Sequence, residues 1–168
     1  MVDIAKLAKT VDDAAFKARA IPQLSEKSKY SLDEAYDIQS ASIQRRLNRG
    51  EKRNGMKMGF TSRAKMIQMG LNDMIWGRLT DGMMVEDGDT ISLKNYVHPR
   101  VEPEIAFLLK RPLPYPCTAA EAIAAVDGVA PAMEIIDSRY KNFKFSLEDV
   151  VADNASSSSF VVGPWHKP

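Results

Sequence analysis

Four charged side chains sit at positions that otherwise read as apolar. Glu102 and Glu104 open the stretch VEPEIAFLL, Glu134 lies inside APAMEIID, and Lys57 is flanked by methionines in GMKMGF. In an extended chain, residues two apart point to the same face. Glu102 and Glu104 then share a face beside residues that favour burial. Like charges held away from bulk water are costly unless something positive compensates. Three acids at core-like positions suit a hard divalent cation, which prefers oxygen ligands. The competing account makes Glu102 and Glu104 the wet face of a half-exposed strand. Pro103 between them fits an edge strand or a bulge in either case.

Two kinds of element must position these groups. Residues 3–20 read as a helix with Ile4, Leu7, Val11, Ala15 and Ala18 near one face, and Pro22 follows its end. A second helix is predicted over 31–50, with a Ser31–Glu34 capping box and Gly50 at its stop. Together they form a helical N-terminal arm over 1–52. From residue 53 onward, short apolar segments broken by Gly, Asp, Asn and Pro predict a β-rich domain reaching 168. Two short helices interrupt it, TAAEAIAAVDG (capped by Thr118 and Glu121, stopped by Gly128) and SLEDVVADN. The serine run 156–159 leads directly into FVVG, which reads as a strand. The tail beyond it offers nothing to close a sheet, an exposed edge that folds usually cover.

The totals set outer limits. A chain of 168 residues, 45% apolar and 27% charged, can bury one domain's core. Its net charge of +1 gives no reason to expect a nucleic-acid partner. No apolar run approaches membrane-spanning length, and the first residues lack a signal peptide's apolar core, so the cytoplasm is the expected location. Cys117 is the sole cysteine, which excludes an internal disulfide and a thiolate metal cluster.

Taken in order, KMGFTSRAKMIQMG, WGRLTDGM, HPRVEPEIAFLL, PAMEIIDSR and ADNASSSSFVVG resemble the fumarylacetoacetate hydrolase superfamily. The likeness is to its hydratase and decarboxylase branch, and it runs over essentially the whole chain. It implies an α+β fold, a mixed β-roll with a helical N-terminal arm, and a longer chain whose last third is absent here. It also implies that Glu102, Glu104 and Glu134 bind Mg²⁺ or Mn²⁺. The activity implied is metal-dependent decarboxylation of 2-oxohex-3-enedioate to 2-hydroxypenta-2,4-dienoate and CO₂. Lys57 is then assigned to the enolate or a substrate carboxylate, with Asp81 and Asp153 as further acids of the site. Arg63, Lys65, Arg100 and Ser156 are candidates for substrate contact. A homo-oligomer, and association with the sister hydratase, are implied as well.

Rival readings differ in chemistry or in class. A hydratase adding water to 2-hydroxypenta-2,4-dienoate would use the same metal and fold. Hydrolysis of an acylpyruvate would want a water-activating His in the N-terminal part, and no His precedes His98. A shortened copy that keeps an interface and loses turnover would be a partner-binding fragment. Most remaining features have simpler uses. Arg63 and Lys65 suit a solvated helix face, Asp81 a turn before Gly82, and Asp153 a helix end. Asp137 could support Glu134 or Arg139, His98 and His166 are structural, Cys117 is inert, and the methionines fill core gaps.

Overall fold

The computed structural model describes residues 2–68 and 74–168, apart from the side chains of Lys65 and Gln68. Helix α1 (Ile4–Phe16) is capped by Asp3, whose side chain accepts from the Lys6 amide. It stops where Ala18 turns left-handed at φ 46°, earlier than the sequence suggested. Helix α2 (Leu32–Asn48) carries the expected Ser31–Glu34 capping box. Asp12, on the buried side of α1, was not foreseen there. Its carboxylate takes Arg45 Nε at 2.7 Å and both terminal nitrogens of Arg49 at 2.7 Å, which bolts α1 to α2.

Two sheets follow. Strands β1 (Arg53–Gly59) and β2 (Ile75–Thr80) form an antiparallel pair, with α3 (Arg63–Gln68) between them in sequence. The second sheet has the order β3 (Met84–Val85), β6 (Ser157–Val162), β5 (Val126–Asp137), β4 (Pro99–Leu109). Its β3–β6 pair is parallel and the others are antiparallel. The architecture is thus α+β with mixed sheets. Pro103 sits on β4, the edge strand, where its missing N–H does no harm.

The core joins these parts. Val11 of α1, Ile38 of α2, Ile75 of β2 and Val151 of α5 (Leu147–Ala152) pack together around Tyr140. Asp149, fully buried at the start of α5, accepts from the Ser25 amide at 3.0 Å, Ser25 Oγ at 2.5 Å and Tyr30 hydroxyl at 2.5 Å. Those bonds tie the segment between α1 and α2 to α5.

Several expectations need correction. Helix α4 (Ala119–Ala124) has its Thr118–Glu121 box, but β5 begins at Val126, so Gly128 lies within a strand rather than ending a helix. A Cβ there would come within 3.2 Å of the Trp165 ring. The tail is not idle: Val129 and His166 exchange backbone hydrogen bonds at 2.9 and 2.8 Å, and the Gly163 amide donates to Pro131 O. Of the methionines, Met83 is buried, whereas Met56, Met58, Met74 and Met84 are exposed, and Met69 lies outside the described residues.

Candidate metal centre

Strand pairing sets the acids together. In the β4–β5 register Glu102 lies directly opposite Glu134, and Glu104 opposite Ala132. Directly opposed residues share a face, and alternation along β4 adds Glu104 to it. The three residues each present a carboxylate oxygen, all within 4.8 Å of one another. Burial grades across them, from Glu134 at 4% exposure through half-buried Glu102 to exposed Glu104.

Lys57 reaches this cluster from the other sheet. Its Nζ lies 3.0 Å from Glu134 Oε2 and donates to Ala155 O at 3.2 Å. Lys57 and Ser157 approach the Glu134 carboxyl closely enough to pull it down, yet by strict hydrogen-bond geometry neither buried oxygen completes a bond among the described residues. The Ser156 and Ser157 hydroxyls share that condition. Native interiors rarely leave such atoms unpaired, and a cluster of them points to a bound ion or water. Burial, the largest influence, pushes the Glu134 and Glu104 carboxyls up, with Lys57 pulling both down and Glu102 adding to the rise. The convergence of three carboxylate oxygens gives an all-oxygen donor set, which suits Mg²⁺ or Mn²⁺.

The remaining candidates fall at varied distances from this cluster. Ser156 is buried, next in sequence to the Ala155 whose carbonyl meets Lys57, with its backbone left-handed at φ 58°. Asp153 is held by Arg139, which gives it a backbone N–H at 2.9 Å and Nε at 2.5 Å while its own Nη2 binds Asp153 O. Burial still pushes the Asp153 carboxyl up to about 6. Its partners are structural, and nothing in its geometry turns it to the three glutamates. Asp81 is exposed in the turn after β2, where its carboxylate accepts the Lys52 amide at 2.8 Å and closes the β1–β2 ladder. Arg100 stands two residues before Glu102 on β4, its guanidinium 3.7 Å above the Phe143 ring. Arg63 is exposed at the start of α3; the Lys65 side chain lies outside the described residues. Asp137 serves neither Glu134 nor Arg139. It accepts the Val97 amide at 3.0 Å and the His98 amide at 2.5 Å, while His98 Nδ1 sits 2.9 Å from Ser138 O.

Sequence reasoning passed over Asn154 and Gly77. Asn154, Ala155 and Ser156 are all left-handed, at φ 56°, 52° and 58°. Each such residue that is not glycine costs on the order of 1 kcal/mol. Three in a row beside the carboxylates turn the Ala155 carbonyl to Lys57. Gly77, opposite Lys57 in the β1–β2 register, leaves room for this turn: a Cβ would lie 2.5 Å from Asn154 O. A glycine inside a strand was the available signal.

Comparison with known proteins places the chain. No family model matches it. It is 59% identical over 165 residues to a 4-oxalocrotonate decarboxylase of a Pseudomonas species, covering 98% of this chain and 64% of that protein. A 2-hydroxyhexa-2,4-dienoate hydratase of Comamonas testosteroni is 38% identical over 158 residues, 92% of this chain and 60% of the relative. The solved structure of 4-oxalocrotonate decarboxylase from Pseudomonas putida G7, complexed with magnesium and adipate, superposes with a TM-score of 0.94 at 40% identity. That match covers 98% of this chain and 64% of the solved one. The chain therefore spans somewhat less than two thirds of these relatives' length. Over nearly its whole length it is similar to such decarboxylases and hydratases, in keeping with the superfamily motifs.

Proposed function

We propose that this chain carries the metal-binding part of a decarboxylase acting on 2-oxohex-3-enedioate (4-oxalocrotonate). The observation that carries the proposal is the cluster of Glu102, Glu104 and Glu134 with Lys57 against it, on a chain 59% identical to a 4-oxalocrotonate decarboxylase. The hydratase relatives are less similar, from 38% to 42% identity. Glu102, Glu104 and Glu134 would hold Mg²⁺ or Mn²⁺. Such an ion supplies Lewis acidity toward the carboxylate and keto oxygens of a 2-oxo acid.

In the reaction the C5–C6 bond breaks and C6 leaves as CO₂. Its electron pair becomes the C4=C5 bond, the C3=C4 pair moves to C2=C3, and the C2 carbonyl oxygen takes the charge. A proton on that oxygen completes 2-hydroxypenta-2,4-dienoate. The Lys57 ammonium, fixed by Ala155 O, offers a positive charge where negative charge grows. The hydroxyl of Ser156 offers a hydrogen-bond donor close by. Arg63, Lys65 and Arg100 remain candidates for the distal carboxylate, and Asp81 and Asp153 act through the backbone they hold.

Residues 1–52 serve as the helical support and 53–168 as the metal-binding unit. We place the working enzyme in the cytoplasm as a homo-oligomer, beside the sister hydratase that consumes its dienol. No helix among the described residues is long and apolar enough to cross a membrane.

The test is CO₂ release from 2-oxohex-3-enedioate with Mg²⁺, with and without EDTA. It is run on this chain, and on this chain joined to the segment a longer relative carries beyond the match. Metal-dependent release from either supports the decarboxylase. Water addition to 2-hydroxypenta-2,4-dienoate without decarboxylation would make the chain a hydratase, and silence of both forms on both substrates would overturn the proposal.

A further inference from the structure

The outer edge of β2 is completed by side chains rather than by a third strand. The Arg78 amide donates to Asn154 Oδ1 at 2.7 Å, and Asn154 Nδ2 donates to Arg78 O at 2.8 Å. One carboxamide thus makes both bonds that a neighbouring peptide group would make. Two residues earlier, Gln39 Nε2 donates to Trp76 O at 3.0 Å and to Val151 O at 2.9 Å. The backbone at Asn154 leans so closely on Gly77 that a Cβ would be excluded.

This docking fixes the left-handed turn against β2. The next carbonyl in the turn, Ala155 O, receives the Lys57 ammonium. Lys57 pairs in register with Gly77, so the turn, its glycine seat and the lysine occupy one level of the β1–β2 ladder. From that level Nζ reaches Glu134 in the other sheet. Arg139 anchors both flanks of the turn, at Asp153 O and Ser157 O, so the Asn154 bonds decide how the turn sits on β2. Without them the Ala155 carbonyl would shift relative to the ammonium.

We propose that Asn154 is a positioning residue of the metal centre. Its carboxamide, docked on the Arg78 backbone while its own carbonyl rests on Gly77, fixes the Ala155 carbonyl, which in turn sets the Lys57 ammonium against Glu134. The inference rests on the metal-site reading given above and assigns a further residue to it. Asn154 itself touches neither the acids nor the lysine. Its effect on them passes through one carbonyl.

Two variants approach the clamp from opposite sides. Asn154→Gly deletes the carboxamide but suits φ 56° better than any side chain, so the chain stays folded. Gly77→Ala leaves the carboxamide and pushes its seat away. Asn154→Asp keeps the acceptor for the Arg78 amide and loses the donor. Mn²⁺ affinity is measured by calorimetry on each, since partners one step removed from a metal shift affinity about 10-fold or more. In parallel, an amine-reactive reagent and peptide mass spectrometry read the modification rate of Lys57 against exposed Lys52, with no metal present.

The expected result is Mn²⁺ binding weakened about 10-fold in Asn154→Gly and Gly77→Ala. Asn154→Asp should fall between them and the parent. Lys57 should be modified several-fold faster in the first two at an unchanged Lys52 rate. Parent-like affinity together with a parent-like Lys57 rate in both variants would overturn the clamp. If the parent chain itself bound no Mn²⁺, the metal reading would fall, and the Lys57 rate alone would decide for or against the clamp.

Discussion

Lys57 and Glu134 lie 3.0 Å apart although they belong to different sheets, Lys57 to the β1–β2 pair and Glu134 to the middle of the four-stranded sheet. Their side chains are 11% and 5% exposed. The pair is therefore a join between sheets as well as part of the candidate centre.

Replacing Lys57 with Met removes the ammonium that lies 3.0 Å from the buried Glu134 carboxylate. Breaking a buried pair from one side costs about 3 kcal/mol. The metal-free Lys57→Met chain should melt well below its parent. Added Mn²⁺ should then restore more stability to the variant than it adds to the parent. Thermal melts at several Mn²⁺ concentrations check this, and equal gains in both proteins would count against the centre.

Glu102→Gln, Glu104→Gln and Glu134→Gln should each weaken Mn²⁺ binding, on the order of 100-fold for a lost charged ligand. Stability of the metal-free chain should fall most for Glu134→Gln, because that change breaks the buried pair with Lys57 from the other side. Calorimetric titration and metal-free melts, taken together, separate ligand loss from general damage.

Asp12 controls acid stability. Hydrogen bonds and charge from Arg49 and Arg45 hold its carboxyl below the ordinary value of 3.8, outweighing burial, the largest single influence. A lowered folded-state value means stability fully present above that ordinary value and lost as pH falls through the lower, folded one. Asp12→Asn should lose about 2 kcal/mol near neutrality, since its arginines are partly exposed and screened. Its stability should also change less than the parent's below about pH 4. Urea melts across that range give both numbers.

Asp149→Asn should detach the 24–30 segment. The carboxylate accepts from Ser25 and Tyr30, and it also caps α5 with Ser146. An amide group would set a donor against a donor in a fully buried place, costing about 2 kcal/mol. Cleavage by a protease near Lys27 and Lys29 should accelerate, while α2 stays intact by circular dichroism.

The sequence made the carboxylates legible because strand alternation is a local rule. It assigns Glu102 and Glu104 to one face without any knowledge of the partner strand. Capping boxes at Ser31 and Thr118 were readable for the same reason. The clamp at Asn154 was not, because its partners lie 76 residues away on β2 and bond through the backbone of Arg78, where residue type leaves no trace. Asp12 escaped notice similarly: its arginines come from the next helix. For Asp153 the sequence left a helix end and an active-site acid side by side, because its partner Arg139 comes from another segment.

Two of the three clustered carboxylates, Glu102 and Glu104, ride on β4, which among the described residues has a neighbour on one side only. An edge strand frays more readily than a central one. The geometry of the acids is then governed by how often β4 opens from β5, and amide hydrogen exchange along residues 99–109 becomes a direct readout of the centre. A bound cation, bridging β4 to Glu134, would slow that exchange across the whole ladder. Ion occupancy and strand breathing are in this sense the same equilibrium seen from two sides.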